Sequence, residues 1–371
     1  MKQVNSKEKL STWQIFSLIS MVLTSEGIIT TSYRLTDNGA WLSMLIAMTI
    51  GIILSLVYSF IITKSDEKDI FDIFHNIFGK IFGRLFTIIF IVFSFYCAIV
   101  ATKNMVIQIK HMNFRPTPYF YLILSYIILY LFSLLKGIEV IGRLSSVLRI
   151  ILISLTILVT ILIFSEFEFF NMMPLVAAPM KEILKGGILD FFIIFGDGVL
   201  VLGLVVSSKD KNGKKNKIAW TLIYAYLFSG LINVLSIVYP ILVLGFPLAN
   251  ILYYPAFTAF SLIDIAMFIT RVEIIISIIY MSTLIIKAIV AMYVATIGLQ
   301  KMFSSKSNKT YIIPTCIIVY FGSLLLFDNV NELLHLREEH GWLKGIVQVC
   351  IPIIIAIILL FKKKPKENTP I

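Results

Sequence analysis

Ile188-Leu-Asp-Phe-Phe-Ile-Ile-Phe-Gly-Asp-Gly-Val-Leu-Val-Leu-Gly-Leu-Val205 is apolar over most of a membrane-spanning length, yet its middle reads Gly196-Asp197-Gly198. In a helix interior each Gly costs ~1 kcal/mol relative to Ala. An Asp at the bilayer centre costs about 2.5–3.5 kcal/mol on an insertion scale. Three such residues side by side in a hydrophobic span predict a helix with an interrupted centre. Interruptions at membrane depth are tolerated where they are buried in protein or line a cavity.

The rest of the chain places that stretch in a membrane. Of 371 residues, 58% are hydrophobic and 14% charged, and the mean hydropathy is +0.93; soluble domains carry about 25% charged residues. Repeated apolar stretches of barrel-exceeding length predict an all-α integral membrane protein rather than a β-barrel, whose strands alternate. The first span, from Trp13, is too long for a signal-peptide core and lacks a small-residue cleavage pattern, so no cleavable leader is expected. Cys97, Cys316 and Cys350 fall within spans and read as small apolar residues, with no disulfide, metal site or cofactor expected. No phosphate-binding glycine loop, zinc-binding His-Glu-x-x-His or serine elbow is present, and none of the four histidines is assigned a role, so no enzymatic function is expected.

Ten spans are expected: 13–33, 40–62, 82–108, 118–135, 145–164, 188–206, 218–244, 272–299, 311–327 and 342–361. With the N-terminus inside, 22 of the 32 Lys and Arg residues fall on the cytoplasmic side. The outer set comprises Arg34, Lys110, Arg115, Lys181, Lys185, Arg271, Arg337 and Lys344, and Lys103 and Lys287 lie within spans. The positive-inside rule therefore puts both termini in the cytoplasm. The net charge of +11 is a topology signal and a contact for anionic lipid, not a nucleic-acid surface. Residues 69–85 carry apolar side chains at helical spacing opposite Asp72, Asn76, Lys80 and Arg84. They predict an amphipathic helix in the cytoplasmic interface, or simply a connector. The whole chain reads as one membrane domain, with a first five-helix half over 10–164 and an extracellular linker over 165–187. A second half follows over 188–361, then a basic cytoplasmic tail over 362–371. Residues 247–270, long and semi-apolar, suggest a cap over the outer mouth.

Polar residues at membrane depth are the functional candidates. Ser25-Glu26-Gly27 lies in span one and Phe195-Gly196-Asp197-Gly198 in span six, each an acid followed by glycine in the first helix of its half. That is the trace an inverted five-plus-five repeat leaves, with helices 1 and 6 broken. Free N–H groups at half-helix starts would face an anionic group, and carbonyls at half-helix ends a cation. A free amino acid carries one charge of each sign. The alternative is that the glycines only permit close packing and the acids pair with lysine. Lys287, in the middle of span eight, is expected to face the interior with Glu26 as partner, either as a fixed stand-in for a coupling ion or as a static ion pair. Tyr96 in span three is expected to line the cavity, and Lys103 to snorkel to the outer surface.

The chain also resembles the B-subunit family of spore germination receptors (GerAB-like), a branch of the amino acid–polyamine–organocation transporter superfamily. The resemblance runs from about residue 12 to residue 361. It is carried by Lys136-Gly-Ile-Glu-Val-Ile-Gly-Arg-Leu144, Asn171-Met-Met-Pro-Leu175, Ile183-Leu-Lys-Gly186 and Ala40-Trp-Leu-Ser43. Lys287 and Phe195-Gly196-Asp197 complete it, with Asp197 standing where Glu is common. It implies a LeuT-like fold in the inner membrane of a bacterial spore, and partnership with A and C receptor subunits. It further implies sensing of a small-molecule germinant, most often an amino acid. A proton-coupled amino-acid transporter and a ligand-gated ion-conducting subunit are the other readings this fold allows.

Overall fold

The computed structural model describes residues 10–27, 35–65, 67, 69–112, 117–205, 214–262, 272–326 and 329–361, and every regular element among them is helical. The outer ends of spans one and nine, the 263–270 part of the proposed cap and the basic tail lie outside the described residues. So do Lys209, Lys211, Arg34, Arg115 and Arg271 of the charge tally.

In chain order the helices are α1 (Thr12–Thr24), α2 (Ala40–Lys64), α3 (Ile70–Met112), α4 (Tyr119–Lys136), α5 (Ile138–Ile163), α6 (Met180–Asp190) and α7 (Val201–Val205). They continue with α8 (Lys214–Leu244), α9 (Phe246–Ile251), α10 (Pro255–Ser261), α11 (Glu273–Met302), α12 (Ile312–Leu325), α13 (Val330–His340) and α14 (Ile351–Phe361). Among the described residues, eight helical segments are long and apolar enough to cross a membrane. The pair around α12 and α13, bent by 104°, is a ninth if taken as one span, and α1 is a shorter apolar helix. Helices α4 and α14 turn Leu, Ile and Phe outward, as helices solvated by lipid do.

Helix α1 is the axis of the bundle. A capping box between Ser11 and Gln14 starts it, satisfying two otherwise orphaned backbone donors. From Ser17 to Thr24 every residue is buried, enclosed by α8, α5 and α11. Around it, α11 packs along α3, and α2 along α8. Thirteen residues make about 20 Å of helix against a hydrocarbon core of about 30 Å, so α1 stops inside the membrane. Its last carbonyls therefore need partners other than water. Helix α8 supplies two of them: Asn233 donates to Leu23 O (3.0 Å) and Ser236 to Gly27 O (3.1 Å), while Ser229 adds a bond to Ser20 O (3.1 Å), which Thr24 also engages. A Cβ at Gly27 would lie 2.1 Å from Asn233 Oδ1, so only glycine lets this side chain reach the backbone. At its start α1 is held by Arg149 of α5. The guanidinium lies 3.9 Å from the Trp13 ring centroid and 4.7 Å from that of Phe16, and its Nε donates to Ser17 Oγ at 3.0 Å.

Span six keeps its expected interruption but in a different form. After α6 the chain runs through a π-helical segment, Phe191–Phe195, then a 3-10 segment, Gly196–Leu200, into α7. Its dihedrals stay right-handed, so the hydrogen-bond register changes without the chain unwinding. A second π segment, Ile346–Cys350, precedes α14. Such segments shift the helix register by one residue and are frequent at functional sites.

Other boundaries depart from expectation for local reasons. The linker expected over 165–187 is already helical from Met180, where Pro179 sits at the N-cap. The amphipathic segment 69–85 does not lie along an interface as one helix. Gly79, at φ 74°, kinks it, so Ile70, Phe71, Ile73 and Phe74 are buried in the bundle whereas Ile81 and Phe82 face outward. Lys301 ties its start down, 2.5 Å from Asp72 and 3.3 Å from Asp69. Lys103 does not snorkel: it is fully buried, with its ammonium 4.6 Å from the Tyr119 ring centroid. Helix α13 falls between the ninth and tenth expected spans, in the polar run Asn-Glu-Leu-Leu-His-Leu-Arg-Glu-Glu.

Arg149→Lys keeps the charge but loses the planar stack on two rings. It should lower unfolding stability by about 1–2 kcal/mol, read as a fall in the thermal midpoint of the purified protein in detergent. An unchanged midpoint would show that α1 is held to α5 by other contacts.

Candidate functional site

Glu26, one residue into the turn that ends α1, and Asp197, in the 3-10 segment of span six, converge on one lysine. The Lys287 ammonium lies 3.0 Å from Glu26 Oε1 and 2.6 Å from Asp197 Oδ2. All three are essentially inaccessible to solvent. Each remaining carboxylate oxygen has its own donors. Glu26 Oε2 accepts from Asn104 of α3 at 3.0 Å and from the Arg337 guanidinium of α13. Asp197 Oδ1 accepts from Gln348 at 2.8 Å and from Lys344 at 3.4 Å, with Cys97 Sγ at 3.7 Å. Isolated charges at this depth cost several kcal/mol each, so pairing and full hydrogen bonding are what permit two carboxylates there.

Gln348 joins the two π segments. Its Nε2 donates to Phe192 O at 2.9 Å as well as to Asp197, while its own carbonyl accepts from Tyr58 of α2 at 2.7 Å. Tyr226 of α8 donates to Phe195 O at 3.0 Å, and its ring stacks on that of Phe195 with centroids 6.2 Å apart. The span-six glycines serve these approaches. A Cβ at Gly196 would lie 2.3 Å from Gln348, and one at Gly198 would lie 2.1 Å from the Tyr226 hydroxyl. Close packing of side chains onto the backbone accounts for both.

Of the residues singled out in the sequence, Glu26, Asp197 and Lys287 meet directly. Tyr96 borders the cluster, with Lys344 5.4 Å from its ring centroid. Phe195 and both span-six glycines form its backbone wall. The Ser25 hydroxyl is spent on Val22 O at 2.7 Å, and Gly27 serves the α1–α8 contact. Arg337 and Lys344 correct the charge tally: expected as outer-face cations, they are members of the cluster, Arg337 buried and Lys344 partly so. Asn104, beside Lys103, and Gln348 are polar residues in apolar spans and carried the same signal as Lys287. So did the stripe Tyr226, Ser229, Asn233, Ser236 on span seven, at helical spacing. Beside Asp197 a narrow crevice lined by Leu18, Ile19, Val22, Val201 and Leu204 runs between α1 and α7. No group of three or more His, Cys, Asp or Glu residues suited to a metal occurs among the described residues.

Residues 9–332 match the family model described as spore germination protein. The chain belongs to that family. It is 22% identical to spore germination protein KB of Bacillus subtilis (strain 168) over 377 residues, covering 98% of each chain. Among solved structures it is similar to Mhp1, a nucleobase-cation-symport-1 family transporter in a closed conformation with bromovinylhydantoin bound. The TM-score is 0.65 at 11% identity, covering 94% of this chain and 80% of that one. The likeness establishes a LeuT-like transporter fold, and with the apolar helices it makes this spore germination protein a multi-pass membrane protein. Family and fold together support a germinant-receptor or permease-like role rather than an enzymatic one.

Lys287→Met should leave two buried carboxylates facing each other and cost about 3–5 kcal/mol of stability. Adding Asp197→Asn to it should recover part of that loss, since one of the two stranded charges is gone. A thermal-unfolding double-mutant cycle on purified protein measures the coupling; simple additivity would show that the pair contributes no mutual energy.

Proposed function

We propose that this chain is the germinant-sensing subunit of a spore germination receptor, binding a small nutrient, an amino acid, where spans one and six are interrupted. In this reading it sits in the inner membrane of the spore with both termini cytoplasmic, and passes a rearrangement to A and C receptor subunits. The observation that carries the reading is the bridge from Lys287 to Glu26 and Asp197. One ammonium couples the two interrupted spans, so a molecule seated between them changes their spacing only by altering that bridge. A ligand shifts such an equilibrium by its differential affinity for the two arrangements. Two buried acceptors beside the carboxylates, Asn104 Oδ1 and Gln348 Oε1, have no hydrogen-bond partner and suit the donors of a ligand ammonium. The family match and the relative over almost the whole chain support the germination role.

In a strain retaining only this receptor, Asp197→Asn and Lys287→Ala should abolish the germinant response. Alternatively they should raise the half-maximal germinant concentration roughly tenfold or more, which corresponds to about 1.4 kcal/mol. Immunoblots should show the Asp197→Asn protein at its normal level in the membrane, and for Lys287→Ala the response is read per receptor present. Wild-type responses in both variants would sink the site assignment, and saturable amino-acid uptake into proteoliposomes would favour a transporter instead.

A further inference from the structure

The three cations of the cluster are not equally committed. Lys287 bridges two carboxylates, and Arg337 reaches Glu26. Lys344 makes one carboxylate contact, at 3.4 Å, to an oxygen that Gln348 already engages at 2.8 Å. An ammonium carries three donors. Beyond that contact, Lys344 has the face of Tyr96 at 5.4 Å. Its side chain also keeps 11% of its surface exposed, against 1% for Lys287 and 4% for Arg337. Lys344 is therefore the most exposed cation of the cluster. The residue sits on a 3-10 turn, Gly341–Lys344, with a glycine at position 341 and another at 345.

We propose that Lys344 is a tethered counter-ion that the ligand's own ammonium replaces on Asp197. The displaced Lys344 ammonium then pairs with the ligand's carboxylate. The exchange keeps every buried charge partnered. It assigns recognition of the carboxylate to a side chain, in a span whose right-handed, hydrogen-bonded break exposes no row of free N–H groups. A simple amine can take the place on Asp197 but leaves the largely enclosed Lys344 without a counter-charge, so the site selects zwitterions over amines. This inference rests on the amino-acid reading above.

The test uses the full chain in lipid nanodiscs and equilibrium binding of the twenty amino acids, the amines lacking their carboxyl groups, and the corresponding amino-acid amides. The wild-type protein should bind at least one amino acid and hold its amine and amide roughly tenfold or more weakly, because each leaves a buried charge unpaired. Lys344→Met, and independently Lys344→Gln, should bring acid and amine to nearly equal affinity. Amino-acid binding with the wild-type preference intact in both variants overturns the role of Lys344 and leaves the binding site standing. Equal binding of acid and amide by wild-type protein overturns it without any variant. Absence of binding by every amino acid, with Asp197→Asn indistinguishable from wild type, overturns both readings.

Discussion

One ammonium between two carboxylates sets the terms for the rest of this protein. Lys287, Glu26 and Asp197 lie on three segments that share no sequence neighbourhood, and Lys287 cannot stay charged at this depth without the two carboxylates. Each carboxylate then needs its second oxygen satisfied. That requirement draws in Asn104 from α3, Arg337 from α13, and Lys344 and Gln348 from the start of the last span. The cluster thereby dictates which helices face the centre, and the apolar residues fill the space behind them. Replacing such a network by well-packed apolar residues is often neutral or stabilising in other proteins. Its presence here speaks for a site with a task rather than for stability.

The break in span six is the same constraint seen from the backbone. A π segment followed by a 3-10 segment rephases the helix, carrying Asp197 to Lys287 and Gln348 while the backbone stays hydrogen-bonded in a region without water. The second π segment does the same for Gln348. Glycines at positions 196 and 198 remove the side chains that would otherwise stand between Gln348, Tyr226 and the backbone. Free energy given up in helix propensity is returned as hydrogen bonds to buried carbonyls, each worth about 0.5–1.5 kcal/mol net.

Much of this was legible in the sequence because membranes make polar residues conspicuous. An Asp, a Glu and a Lys deep in apolar spans announce themselves, and partnership between Lys287 and Glu26 follows from the cost of leaving either alone. Arg337 and Lys344 were not legible in the same way. They flank the ends of spans, where a cation is equally at home in solvent, and only the fold of α13 and of the turn after it turns them inward. The form of the break was also hidden, since Gly-Asp-Gly is compatible with unwinding and with a change of helical pitch. Residues 69–85 show a third limit: periodicity over seventeen residues carries no sign that Gly79 splits them between two environments.

The polar rungs between α8 and α1 have a mechanical consequence. Ser229, Asn233 and Ser236 grip three successive levels of a helix that ends in mid-membrane, while Arg149 clasps its other end through two rings. Sliding α1 along α8 by one residue would break all three contacts and take their donors from the Leu23 and Gly27 carbonyls. The first helix is thus splinted to the seventh span. Any shape change at the centre has to carry the two as one body, hinged against the α3–α11 pair that holds Asn104 and Lys287.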